Sequence, residues 1–150
     1  MSGKYIRQGQ VMHSLFSMIQ TPKDVPSAIA RLRMEGIIES DAHERQILKL
    51  VNWALNHPKV KEWFSGEWSL YNECAILYWE NGELQTRRPD RVMMKDGEVI
   101  VVDFKFGKPY PEYDEQVREY MSLLQEMGYT QVSGYLWYGK FLETSSIRSI

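Results

Sequence analysis

Cysteine is nearly absent: Cys74 is the only one among 150 residues. That excludes an intramolecular disulfide framework, a four-thiolate zinc site and a four-cysteine iron–sulfur cluster built from this chain alone. A lone thiol also suits a reducing compartment, and a cytoplasmic location is the expectation. No apolar run approaches the ~18 residues that cross a membrane, and the opening Met1-Ser2-Gly3-Lys4-Tyr5 lacks a signal-peptide core, so no membrane partner is expected. The Gly-x-x-x-x-Gly-Lys-Ser/Thr phosphate loop is missing, which places any ATP-driven motor that works with this chain elsewhere. Nor does charge of one sign dominate. The 18 Lys and Arg residues face 20 Asp and Glu, for a formal charge of −2, which argues against a polycation that grips nucleic acid by charge alone. Repeats, low-complexity tracts and interdomain linkers are also lacking.

What is present is an ordinary globular composition, 43% hydrophobic and 25% charged. A chain of this length buries roughly 70% of the surface its unfolded form exposes. A single domain over 1–150 is therefore expected, with a helical part at 1–66 and a sheet-and-helix part at 67–150.

In the first part, Val11, Met12, Leu15, Phe16 and Ile19 recur at helical spacing and predict a helix over 8–20, closed by Thr21-Pro22. A second helix starts near Asp24, with Pro26 in its first turn, and ends at Gly36. Ser40 with Asp41 and Glu44 is an N-terminal capping pattern ahead of Ile47, Leu48, Val51, Ala54 and Leu55, a helix that stops at His57-Pro58. A further turn or two is expected over 60–64.

From Trp68 onward the pattern turns to strands, at 73–79, 84–88, 90–95 and 98–104. Asn81-Gly82 and Asp96-Gly97 are the dipeptides of two-residue hairpin turns, where both central residues take positive φ. Tyr113, Val117, Tyr120, Met121 and Leu124 then predict a helix ended by Gly128, and 132–138 a last strand. The strand over 99–104 is first of all a buried strand, and its β-branched residues require nothing more.

The hairpins bring carboxylates together. With Asp96 and Gly97 in the loop, Lys95 pairs with Glu98 and Asp90 falls opposite Asp103. With Asn81 and Gly82 in the other loop, Glu73 falls opposite Asp90 on its far side. Paired residues project from one face with Cβ atoms ~5 Å apart, so Glu73, Asp90 and Asp103 would share a row. Pro89 interrupts that row, because it donates nothing to a ladder, and it leaves Glu73 divided between a site carboxylate and an edge-strand charge. Two carboxylates at this spacing repel by about 3 kcal/mol at an effective dielectric near 20. A proton, a basic partner or a divalent cation must relieve that repulsion. Lys105, two residues past Asp103, presents its ammonium on the same strand face.

These residues also carry a resemblance. Arg88-Pro89-Asp90, followed after a hairpin by Val99-Ile100-Val101-Val102-Asp103-Phe104-Lys105, resembles the PD-(D/E)XK nuclease signature. Gly9-x-x-x-His13 resembles the N-terminal histidine motif of the RecB-type branch, and Gln116-x-x-x-Tyr120 its Gln-and-Tyr motif. The ordered set spans residues 9–120.

The resemblance implies an α/β, restriction-endonuclease-like fold, a central mixed sheet with an antiparallel meander flanked by helices. It implies a Mg²⁺-dependent deoxyribonuclease, an exonuclease rather than a sequence-specific cutter, acting in DNA repair or recombination. DNA would be the substrate, and a helicase domain or subunit the partner. His13, Asp90 and Asp103 would ligate Mg²⁺ or Mn²⁺, with the Phe104 carbonyl a possible contributor, and Lys105 would be catalytic. Gln116 and Tyr120, one helical turn apart, would contact Lys105, metal-bound water or DNA. Unlike iron–sulfur members of the branch, this chain cannot hold a cluster on Cys74 alone.

Bland readings stand beside these. His13 can simply pack, and Gln116 and Tyr120 can be a polar pair on an amphipathic helix. Arg87, Arg88, Arg91, Lys105 and Lys108 cluster in sequence and could meet phosphates; by alternation Arg88 shares the Asp90 face while Arg87 and Arg91 point away. Trp63, Trp68, Trp79 and Tyr110 either fill the core or offer stacking surfaces. Two other functions compete with a nuclease: a non-catalytic DNA-binding or helicase-assembly module that keeps the fold, and a different metal-dependent hydrolase.

Overall fold

The computed structural model describes residues 2–71, 75–139 and 146–150. Glu73 lies outside the described residues. Four helices come first: α1 (Ser2–Met18), α2 (Val25–Met34), α3 (Asp41–Ala54) and α4 (Pro58–Trp63). Helix α1 reaches back well beyond the expected start at residue 8; no proline interrupts 2–8, and a helix propagates readily once a packed turn exists. It ends before Thr21, whose hydroxyl accepts the Lys23 amide while Asp24 accepts the Gln20 and Thr21 amides at 2.9 and 3.0 Å. Ser40 caps α3 as its sequence indicates, accepting the His43 amide at 3.1 Å.

The strands follow as β1 (Ser69–Leu70), β2 (Ile76–Glu80), β3 (Glu83–Arg87), β4 (Arg91–Lys95) and β5 (Glu98–Phe106), then α5 (Pro111–Glu126), β6 (Gln131–Gly139) and β7 (Ser146–Ser149). The central sheet is mixed, in the order β1-β4-β5-β6-β7. Strand β5 runs antiparallel to β4 and parallel to β6, with α5 as the crossover. The two expected hairpins form with the expected registers: Lys95 opposite Glu98, and Glu80 opposite Glu83.

The expected meander is divided between two sheets, however. Hairpin β2–β3 is a separate two-stranded sheet, and the far neighbour of β4 is the short β1, through Ser69 opposite Met94 and Leu70 opposite Met93. The break falls at Arg88-Pro89-Asp90, between the end of β3 and the start of β4. Pro89 has no N–H to continue a ladder, and the sheet that follows it does not extend to β3.

One face of the sheet packs against α1 to α4, through Phe16, Phe64, Phe104 and Trp137; the Phe16 and Trp137 rings stand 4.3 Å apart. The other face receives α5, through Val117, Tyr120 and Leu124. That helix sits very close to β6 at Gly134, where a Cβ would collide with the Met121 sulfur and Val117. Trp63 and Trp68 belong to the core, whereas Trp79 and Tyr110 are exposed. Among the described residues no helix is long and apolar enough to cross a membrane.

Candidate active site

The site lies at one end of the central sheet, between α1 on one face and α5 on the other. Its centre is the pair that the second hairpin's register puts opposite each other. The Asp90 amide donates to Asp103 Oδ1 at 3.0 Å, and the Phe104 amide donates to Asp90 Oδ2 at 2.8 Å. Each carboxylate thus accepts a backbone N–H from the opposite strand, which locks both rotamers. Asp103 is buried, and its carboxyl is pushed up to about 6. Burial is the main cause, followed by the negative charge of Asp90; the Asp90 amide, Lys105 and His13 pull the other way.

Helix α1 brings His13 to this pair, with Nδ1 2.9 Å from Asp90 Oδ2 and the imidazole edge-on to Phe104. Gly9, one turn earlier, explains the close docking: a Cβ there would meet the Phe106 Cβ at 3.3 Å. The Gly-x-x-x-His spacing therefore has a packing reason, because the glycine lets the helix approach β5 and the histidine follows it.

From the opposite face Lys105 reaches towards Asp103, with Nζ 3.9 Å from Oδ2. The ammonium donates to Gln116 Oε1 at 3.2 Å and lies 4.4 Å from the centre of the Tyr113 ring. Tyr120, one turn beyond Gln116, is buried in the apolar layer beneath. No hydrogen bond joins it to either carboxylate among the described contacts, and burial with the nearby Asp103 charge raises its phenol above the ordinary value. Arg88 is exposed and lines, with Asp90, an open groove of about 1260 Å³ that also carries Ser14 and Ser17 of α1, Ser27 of α2, Tyr71, the carboxylate of Asp24 and the Arg31–Glu35 ion pair.

The structure thus assembles His13, Asp90, Asp103, Lys105 and Gln116, leaves Tyr120 packed beneath them, and sets Arg88 at the groove. Two participants escaped the sequence reading. Tyr113 lies three residues before Gln116, on the same helical face, and that spacing could have found it. Arg91, grouped above with phosphate-binding cations, is instead buried, and desolvation depresses its guanidinium to about 10. Its place two residues before the core residue Met93 was the available signal, since period-two alternation turns both side chains inward.

The donors suit a hard divalent cation: two carboxylates with an imidazole beside them. His13 Nδ1 and Asp90 Oδ2, 2.9 Å apart, stand at hydrogen-bond distance from each other. Among the described residues no group of three or more His, Cys, Asp or Glu side chains is already arranged around one point. The bonds above account for this, because Asp103 Oδ1 and Asp90 Oδ2 are turned onto backbone amides.

The site thus sits on a mixed sheet between helical layers, with acidic and basic side chains gathered at one end. No family model matches the chain, and no curated protein matches it. Among solved structures, the chain is similar to a crystal structure described as a "Putative exonuclease" from Eubacterium rectale, with a TM-score of 0.61 and 13% identity. The match covers 95% of this chain and 56% of that one. The likeness therefore concerns the fold, over little more than half of the longer protein.

Proposed function

We propose that this chain is a metal-dependent nuclease that hydrolyses phosphodiester bonds in DNA, of the RecB type within the PD-(D/E)XK superfamily, and an exonuclease. The observation that carries the reading is the Asp90–Asp103 pair, locked by reciprocal backbone bonds beside Lys105, with Asp90 lining an open groove. Two acids are held together, one of them buried, an arrangement that costs stability and has a use where a cation must be met.

In this reading His13, Asp90 and Asp103 would hold Mg²⁺ or Mn²⁺, which would supply Lewis acidity at the phosphoryl oxygens. Asp90 and Asp103 would orient the attacking water towards the phosphorus; its proton passes to solvent, and the leaving oxygen takes a proton from solvent. As the new P–O bond forms and the bond to the leaving oxygen breaks, negative charge grows on the phosphoryl oxygens, and the Lys105 ammonium offsets it. Gln116 and the Tyr113 ring hold the Lys105 ammonium in place, and Tyr120 packs in the apolar layer beneath. A strand lying in the groove would meet Arg88 and the α1 and α2 hydroxyls through its phosphates, with Tyr71 as a stacking surface. A helicase domain or subunit would deliver the DNA end, in repair or recombination.

The test is cleavage of end-labelled linear and circular DNA by the purified chain in Mg²⁺, Mn²⁺ or EDTA, beside Asp103→Ala. Metal-dependent degradation of linear DNA alone, lost in the variant, is the expected result. Binding without cleavage in any metal would favour a DNA-binding module instead. That second reading draws on the inward turn of the carboxylates onto amides, which leaves no ready-made metal cluster among the described residues.

A further inference from the structure

Arg91 has an arrangement that core packing alone does not require. It is 3% exposed, and no carboxylate pairs with it among the described residues. Its guanidinium instead takes four main-chain carbonyls. Nη1 donates to Phe16 O at 3.2 Å and Ile19 O at 2.6 Å; Nη2 donates to Gln20 O at 3.4 Å and Trp63 O at 3.1 Å. Its Cζ lies over the Phe64 ring, 3.8 Å from the ring centre.

Three of those carbonyls end α1 or follow it directly, and the fourth ends α4. Helix C-termini leave carbonyls unsatisfied and carry the negative end of the dipole, so a cation buried there meets both needs. The consequence for the site is geometric. Arg91 joins the start of β4 to the end of α1, while Asp90, the preceding residue, meets His13 one turn further back on the same helix. Two adjacent residues at the entry to β4 therefore grip one helix at two points, and Gly9 against Phe106 makes a third. A helix held at three points has little freedom to pivot, and the spacing of His13 and Asp90 follows from that hold.

We propose that Arg91 is a positioning residue: by binding the carbonyls that end α1, it sets His13 against Asp90. The proposal rests on the nuclease reading for its catalytic consequence, but the geometric claim can be read without any cleavage. The test is Arg91→Lys in the full chain, because an ammonium reaches some of these carbonyls while lacking the planar fork. The expected outcome is a folded protein with a weakened nuclear Overhauser contact between the His13 and Phe104 rings. Mn²⁺ affinity by calorimetry should fall about tenfold, the scale for loss of a group that orients a ligand. The kcat for DNA cleavage should fall similarly, with KM within about threefold.

A double-mutant cycle separates positioning from general stability. In a His13→Ala background, Arg91→Lys should cause no further loss of Mn²⁺ affinity. An undiminished ring contact and Mn²⁺ affinity in folded Arg91→Lys would overturn the proposal, as would full additivity with His13→Ala. Should Arg91→Lys fail to fold, Phe64→Leu, which loosens the stack and keeps the fork, should weaken the same ring contact, and an unchanged contact overturns the proposal. Wild-type protein that neither binds Mn²⁺ nor cuts DNA would defeat the nuclease reading, with the ring contact still deciding the role of Arg91.

Discussion

Hairpins β2–β3 and β4–β5 start from the same local chemistry. Asn81-Gly82 and Asp96-Gly97 make the same kind of two-residue turn, with Asn81 at φ 52° and Asp96 at φ 50°. Each hairpin takes the register its turn dictates. Their surroundings differ completely. Strands β4 and β5 continue into β1 and β6, and most of their side chains are buried. Hairpin β2–β3 bonds only to itself among the described strands and leaves Leu77, Trp79 and Leu84 exposed. It docks on α5 through Arg87, which donates to the Tyr78 hydroxyl at 2.6 Å and pairs with Glu119 at 3.1 Å. A two-stranded ribbon is marginal alone. The candidate site sits on the hairpin that both neighbours hold rigid, where a carboxylate pair can keep its geometry.

That contrast can be tested, beginning where the effects are largest. Asp103→Ala should abolish DNA cleavage, checked with the end-labelled assay, while no substitution at Leu77 or Trp79 should do so. Lys105→Met should lower kcat roughly 10²–10³-fold, the scale for removing a group that stabilises transition-state charge; thermal melting within a few degrees of wild type would show that the fold is intact. Denaturant unfolding should then separate the hairpins. Met93→Ala, in the buried one, should cost about 2–5 kcal/mol, whereas Trp79→Ser, in the exposed one, should stay within roughly 0.5 kcal/mol of wild type.

A subtler effect comes from pH. The Asp103 carboxyl sits at about 6 in the fold against 3.8 as the ordinary value, so the folded state favours its protonated form. Its stabilising contribution is complete below pH ~4 and is lost as pH rises through about 6. Without divalent metal, melting temperature should decline across that window, and Asp103→Asn should flatten the decline; a wild-type profile unchanged by that substitution would contradict the raised carboxyl. The smallest effect belongs to Arg87→Ala. It removes a half-exposed ion pair worth at most about 1 kcal/mol, and hydrogen exchange should quicken at β2–β3 amides while β4–β5 amides keep their protection.

Much of this molecule was legible in its residues, and the rest has identifiable reasons for being hidden. The cap at Ser40, the helix from Tyr113 onward and the Asp90–Asp103 register all follow from signals within a few residues or across one turn. The short β1 and the edge strand β7 carry too little pattern to announce themselves, because each exists only where a neighbour supplies hydrogen bonds. Pro89 pointed to the break between the sheets, but not to β1 as the strand that takes the place of β3 beside β4. Arg91 was misjudged because its charge suggested phosphate, whereas its burial depends on carbonyls from α1 and α4, 28 to 75 residues away in sequence.

By itself, then, the amino-acid order determined what local sterics and periodicity control: which segments form helices, where both hairpins turn, and that Asp90 must face Asp103. Tertiary structure decided what depends on distant partners. Docking of α1 through Gly9 and Arg91 brought His13 to the carboxylates, the α5 crossover brought Gln116 and Tyr113 to Lys105, and the core received an arginine. Those choices lie in packing and desolvation between segments far apart in the chain, which no short stretch of sequence encodes.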